Sequence, residues 1–178
     1  MKSEQFQIKK ATEEVGTAIK TEKSKEIHEA ADKVVKQGMM PRDAMGLSDA
    51  MVEGIYGQAY RLYNTGKYKD ASQLFRLLIM LNSTESKYAM GLAACFHMLK
   101  EYKNAVSTYS ICGVIDPENP IPHFHASDCY THMEDPVSAL IALEMAVKRA
   151  GDKPEYQTLK DRALLSIDAL KQEIEKKV

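Results

Sequence analysis

The sequence predicts an all-α chain built from tandem helix pairs, and three sets of positions carry that expectation. Ala71, Ala105 and Ala139 stand 34 residues apart. Earlier in each unit the small residues Ala59, Ala93 and Ala126-Ser127 fall in phase, with Leu62, Phe96 and Tyr130 just after them. Four residues after each alanine of the first set come Phe75, Tyr109 and Leu143. Two antiparallel helices approach closely only where side chains are small, and lock together only where large ones interdigitate. Columns of small and bulky residues in fixed register therefore describe stacked helix pairs.

A period of 34 with small-x-x-aromatic and then Ala-x-x-x-aromatic is the signature of the tetratricopeptide (TPR) repeat, in which each unit is a helix, a tight turn and a second helix. Three tandem repeats follow, 52–85, 86–119 and 120–153, in a right-handed superhelix between an N-terminal helix and a C-terminal capping helix. Each unit is too small to bury its apolar face alone and does so against its neighbours. The departures leave the register unbroken. There is no Trp, so the bulky opening position holds Ile55, Ala89 and His123, and the closing Pro survives only as Pro117, with Ser83 and Gly151 elsewhere.

Taken in order, residues 1–25 are crowded with Lys and Glu around scattered apolar residues (Phe6, Ile8, Val15, Ile19), a composition expected to be mobile. From Glu26 to Gln37 the residues Ile27, Ala30, Ala31, Val34 and Val35 keep helical spacing, and Gly38 suits the C-terminal cap. Residues 26–51 thus form an N-terminal helix and a Met-rich connection broken by Pro41 and Gly46. Ser48 is the expected N-cap of the first repeat helix, with Asp49 favourable against the helix dipole. Gly66 can end that helix in the left-handed conformation, and Asp135-Pro136 supplies a cap and a first-turn proline. Residues 154–178 form the capping helix, with Leu159, Ala163, Leu164, Ile167 and Leu170 on one stripe and charges opposite.

Composition narrows the function. A formal net charge of −1 gives no electrostatic footprint for nucleic acid. No apolar run is long enough to cross a bilayer, and the opening MKSEQFQIKKATEE lacks the apolar core of a signal peptide, so the chain is expected to stay in the cytosol. Cys95, Cys112 and Cys129 are odd in number and spaced by 17, half the repeat, which places them inside the repeats as small buried hydrophobes rather than in a disulfide framework.

The segments Tyr88–Cys95 (YAMGLAAC), Asn64–Ala71 (NTGKYKDA) and His123–Cys129 (HFHASDC), with the helical lead-in Val34–Gly38 (VVKQG), closely resemble the class II chaperones of bacterial type III secretion, the SycD/LcrH/IpgC family. The resemblance covers about residues 28–170. It implies a chaperone of the bacterial cytoplasm, without enzymatic activity or cofactor, whose clients are the hydrophobic translocator proteins that later form a pore in a host membrane. It also implies a homodimer formed through the N-terminal helices, which the stripe Ile27, Ala30, Ala31, Val34 and Val35 permits.

Repeat geometry turns the first helix of each unit toward a groove. Tyr56, Tyr60 and Tyr63 then share one stripe at i, i+4 and i+7, neighboured by Met90, Ala94 and His97 and next by Phe124, Asp128 and Thr131. In the family this face receives an extended client segment, and the positions matching its binding aromatics are Tyr56, Tyr60, Tyr63 and Phe75. Tyrosine suits the task, offering large apolar area, low entropy loss and a hydroxyl for the client backbone. Gly57 and Gly91 occupy equivalent helical positions where glycine costs about 1 kcal/mol against Ala, so a close approach offsets the loss, either by a client backbone or by a neighbouring helix.

Other chemistries find less support. His97, His123, His125 and His132 with Asp128 and Cys129 contain no His-x-x-x-His pair, and His123 and His125 face different sides of a helix, so no metal site is expected. His97 and His125 are instead candidates for hydrogen bonds to a client that respond to pH. A general TPR adaptor for acidic tails is the alternative function, but such adaptors line the groove with Lys, Asn and Arg, where this chain has Tyr56, Tyr60, Met90, Gly91 and His125. No phosphate loop, nucleophile-base pair or ligand cluster points to an enzyme.

Overall fold

A computed structural model describes residues 20 and 22–176, and everything described is helix, turn or loop. The charged segment expected to be mobile lies mostly outside the described residues. Its last part does not: residues 22–25 already belong to the first helix, α1 (22–37). Lys and Glu are good helix formers without any apolar face, so the scarcity of apolar residues there did not mark a boundary.

The chain divides into two compact units, Met1–Met51 and Val52–Val178. In the first, α1 ends at Gly38, whose φ of +68° is open to glycine at little cost. The short helix α2 (Pro41–Ala44) follows, and Arg42 pairs with Asp43 at 3.2 Å and Asp49 at 2.9 Å. Ser48 caps α3 (Asp49–Asn64) as expected, its Oγ accepting from the Met51 N–H at 3.3 Å.

The second unit takes α3 onward through three helix pairs: α3 with α4 (Tyr68–Leu81), α5 (Ser86–Met98) with α6 (Tyr102–Ile115), and α7 (Ile121–His132) with α8 (Pro136–Ala150). The small-residue columns are its seam. Ala59, Ala93, Ala71, Ala105 and Ala139 are wholly buried, and Phe75, Tyr109 and Leu143 fill the spaces beside them. Cys95, Cys112 and Cys129 are also wholly buried, and burial pushes each thiol up to about 12, as inert interior positions require.

Each first helix stops in the same way, 34 residues apart. Lys67 N–H reaches Leu62 O at 2.9 Å while Gly66 N–H reaches Tyr63 O at 3.0 Å, the doubly bonded left-handed stop of a helix. Glu101 and Lys100 repeat this pair of bonds to Phe96 and His97, and Asp135 and Glu134 repeat it to Tyr130 and Thr131. The left-handed residue is Gly66 (φ +76°) only once; Lys100 (+61°) and Glu134 (+58°) hold the same conformation with a side chain. The stack of repeats imposes a backbone state that local preference opposes.

Asp135 then caps α8, its carboxylate accepting from the Ser138 N–H at 3.0 Å, with Pro136 in the first turn. A 3-10 turn (Pro154–Tyr156) leads into α9 (Gln157–Lys176). Ala163, Ile167 and Leu170 close the end of the core against Ala139 and Leu143. Leu164, expected on the same stripe, is instead exposed, because the buried positions step by four and three residues and leave it on the flank.

Candidate functional site

The expected groove residues lie on the first helices of the pairs: Tyr56, Tyr60 and Tyr63 on α3, Met90, Ala94 and His97 on α5, and Phe124, His125 and Asp128 on α7. They fall into two nodes. In the first, Tyr56 stacks with Tyr60 (6.4 Å between ring centroids) and meets Tyr88 at 5.7 Å and Phe75 edge-on at 6.2 Å. Lys87 sits over the Tyr56 ring at 4.7 Å and pairs with Glu53, so a cation ties α5 to α3 across the rim of the aromatic cluster.

The three tyrosines are not equally available. Tyr60 is 55% exposed, whereas Tyr56 and Tyr63 are half-buried, and burial raises the Tyr63 phenol above its ordinary value. Phe75, expected to contact a client, is 2% exposed. It lies beneath Tyr56 as part of the core, and it explains one glycine: a Cβ on Gly91 would come within 2.3 Å of the Phe75 ring. Gly91 is therefore a packing residue that admits Phe75. Gly57 differs, since a Cβ there meets nothing within 4 Å.

The second node joins α5, α6 and α7. His97 Nε2 lies 2.8 Å from Asp128 Oδ2, and its ring meets Tyr102, Tyr109 and His125 edge-on at 6.0, 6.4 and 6.4 Å. That bond engages Nε2 of His97 within the fold, so a client hydrogen bond would fall to its other ring nitrogen. His125 stacks on Tyr109 at 5.7 Å and touches Phe124 at 5.9 Å; burial, then the neighbouring His97, lowers its affinity for a proton and favours the neutral ring. Phe124 in turn lies under Arg162 of α9 at 5.5 Å.

Sequence reasoning missed Tyr88, Tyr102 and His132 in these nodes. Tyr102 stacks on His132 at 4.7 Å with the planes 9° apart. One signal was present: the Tyr63–Tyr68 contact at 5.3 Å and the His97–Tyr102 contact at 6.0 Å are the same pair of positions, one repeat apart. Among the described residues no cluster of His, Cys, Asp or Glu has the arrangement of a metal site, and no helix is long and apolar enough to cross a membrane.

On α1, Ile27, Ala31 and Val35 are exposed while Ala30 and Val34 are half-buried. With Pro41, Ala44 and Met45, the first four of α1's apolar positions border a cleft of about 650 Å³ within the first unit, and Val35, at 82% exposure, lies outside it.

Paired helices with small-residue seams and an aromatic first-helix face define the class: a tetratricopeptide repeat protein. The tetratricopeptide repeat family model matches residues 52–83 and 86–119. Low calcium response locus protein H of Yersinia pseudotuberculosis is 31% identical over 125 residues, 70% of this chain and 74% of that protein. The type III secretion translocator chaperone SycD of Yersinia enterocolitica, solved as an alternative dimer, superposes with a TM-score of 0.68 at 30% identity, covering 72% of this chain and 97% of that one. PcrH of Pseudomonas aeruginosa, solved with the chaperone-binding region of PopD, gives 0.69 at 30% identity over 72% and 96%. The chain belongs to the family of type III secretion translocator chaperones.

Proposed function

We propose that the chain is a cytoplasmic, non-enzymatic chaperone that holds a hydrophobic translocator soluble and unassembled before export, by binding an extended client segment along the first helices. The observation that carries the reading is the aromatic cluster of Tyr56, Tyr60, Phe75 and Tyr88 on α3–α5, which opens to solvent through the Tyr60 ring. From there the client follows Tyr63, Met90, Ala94 and His97 to Phe124, His125 and Asp128. Phe75 acts from beneath, by fixing Tyr56. PcrH in complex with the PopD region supports the assignment. Shielding of this kind needs only affinity for an unfolded segment, with no chemical step.

Co-expression with a translocator tests the reading. Tyr60→Ala with Tyr63→Ala removes co-purification while the helical circular dichroism persists; retained binding places the contact elsewhere. The homodimer of this reading uses Ile27, Ala30, Ala31, Val34 and Val35 of α1; the dimeric crystal of SycD supports a dimer, and the α1 stripe is the surface proposed for it.

A further inference from the structure

The second helices of the pairs carry a pattern that client binding on the first helices does not use. Leu77 of α4, Ile111 of α6 and Met145 of α8 occupy one repeat position, and all three are exposed. Met80 and Val114 form a second exposed apolar pair one repeat apart, and Val137 and Ile141 extend the surface on α8. Outward positions of a repeat stack are ordinarily polar, and a continuous exposed apolar surface marks a site of interaction.

Beneath this surface a cavity of about 350 Å³ opens between α6, α7 and α8, bordered by Val114, Tyr130, Ile141, Met145 and His123. The Nε2 of His123 is buried and has no hydrogen-bond partner. Gly113 makes room for this ring, since a Cβ there would come within 3.1 Å of Nε2. One repeat earlier the corresponding positions are Ile79 and Ala89, hydrocarbon on both sides. The third repeat has placed an unsatisfied nitrogen where the second has a methyl group. Burial lowers the His123 pKa, which keeps the ring neutral and leaves one nitrogen able to accept a hydrogen bond.

Charge narrows the occupant. The exposed cations of α4, α6 and α8 are Lys69, Arg76, Lys103 and Lys148; the exposed carboxylates are Asp70 and Glu144, and Glu144 faces Lys171 of α9 at 3.7 Å. An acidic partner is favoured. The cavity is large enough for one bicyclic side chain, and the His123 ring that borders it needs only to turn from Gly113 to bring its unpartnered Nε2 to a donor-only group, the combination that suits an indole N–H. This chain contains no Trp, so a second copy cannot supply it.

We propose that the α4–α6–α8 face is a second docking site, which takes an acid-flanked amphipathic helix of another protein, its apolar stripe across Leu77, Ile111 and Met145 and a Trp side chain in the cavity at His123. The two faces then bind separate partners, and one chaperone can hold both.

The probe is a synthetic helical peptide with a Leu stripe, Glu flanks and one central Trp, titrated into the full chain. The absence of Trp from the protein leaves the peptide as the indole fluorophore. Saturable binding with a blue shift is expected, weakened about tenfold or more by Val114→Glu and unchanged by Tyr60→Ala with Tyr63→Ala. Replacing the peptide's Trp with Phe weakens binding severalfold, and His123→Ala abolishes that difference. Val114 is 78% exposed, so its substitution leaves the core intact. Absence of saturable binding overturns the proposal. So does equal binding of a Lys-flanked peptide, or binding that survives Val114→Glu and is lost with the tyrosine pair.

Discussion

Gly57 and Gly91 stand at the same position of successive repeats, yet substitution by Ala should move stability in opposite directions. At Gly91 the added methyl would lie 2.3 Å from Phe75 Cε1 and 2.4 Å from Cζ. The Phe75 ring is 2% exposed and held edge-on by Tyr56 at 6.2 Å, so it has no solvent side into which to turn. Overpacking of this kind costs about 1–3 kcal/mol. Replacing a helical glycine recovers about 1 kcal/mol. An approach of 2.3 Å belongs in the upper part of that overpacking range, about 2–3 kcal/mol, so the net loss is about 1–2 kcal/mol, or a fall of roughly 2–8 °C in Tm for a chain of this length. At Gly57 the methyl meets nothing within 4 Å. Only the helical gain remains, and Tm should rise by roughly 2–4 °C.

Thermal unfolding followed by far-ultraviolet circular dichroism distinguishes the two. Phe75→Leu supplies the internal check, because it removes the ring atoms that the methyl added by Gly91→Ala would strike. In that background Gly91→Ala should be neutral or stabilising, with a coupling of at least about 1 kcal/mol between the sites. A Gly91→Ala protein that melts at or above the parent temperature in the presence of Phe75 refutes the packing account of Gly91.

Three further outcomes are expected. Lys100→Gly and Glu134→Gly should each stabilise by about 1 kcal/mol, as glycine relieves the left-handed conformation that Gly66 already occupies freely, and Gly66→Ala should destabilise by a similar amount; denaturant midpoints measure both. Acid should weaken the fold through His123 and His125, since burial lowers both: the unfolded imidazoles take up protons near pH 6.5 while the folded ones do not, so stability is full above that value and falls as pH is lowered through it. His125→Gln should flatten the pH dependence of Tm, and an unchanged slope would count against His125 as a source. A chain lacking residues 1–38 should lose the dimer mass in light scattering if α1 carries the dimer contact, and an unchanged mass excludes that interface.

The seam of the fold was legible because sterics at a close helix crossing admit only small residues, and the period of 34 repeats that demand at Ala71, Ala105 and Ala139. The helix stops were half legible. Gly66 announces one, but Lys100 and Glu134 carry no local sign, because the repeat stack rather than their own preference sets the backbone there. Phe75 shows two demands in conflict. Its column with Tyr109 and Leu143 defines the core, and the family resemblance offered it as a client contact; burial decides for the core. The His97–Asp128 bond was invisible, since it joins two helices at positions that the repeat does not relate.

The half-buried state of most site residues decides which substitutions can report on function. Tyr56 touches Tyr60, Tyr88 and Phe75 and lies under Lys87, so truncating it removes packing from three helices along with any client contact. A loss of binding in Tyr56→Ala would not separate a damaged face from a damaged fold. Among the described residues Tyr60 makes one ring contact, with Tyr56, and it is 55% exposed, so its truncation costs little apolar burial. If the α3 tyrosines hold the client, Tyr60→Ala should weaken co-purification at unchanged Tm, whereas Tyr56→Ala should lower both. Equal binding losses with equal drops in Tm would mean that Tyr60 acts through the core and that the exposed ring is incidental.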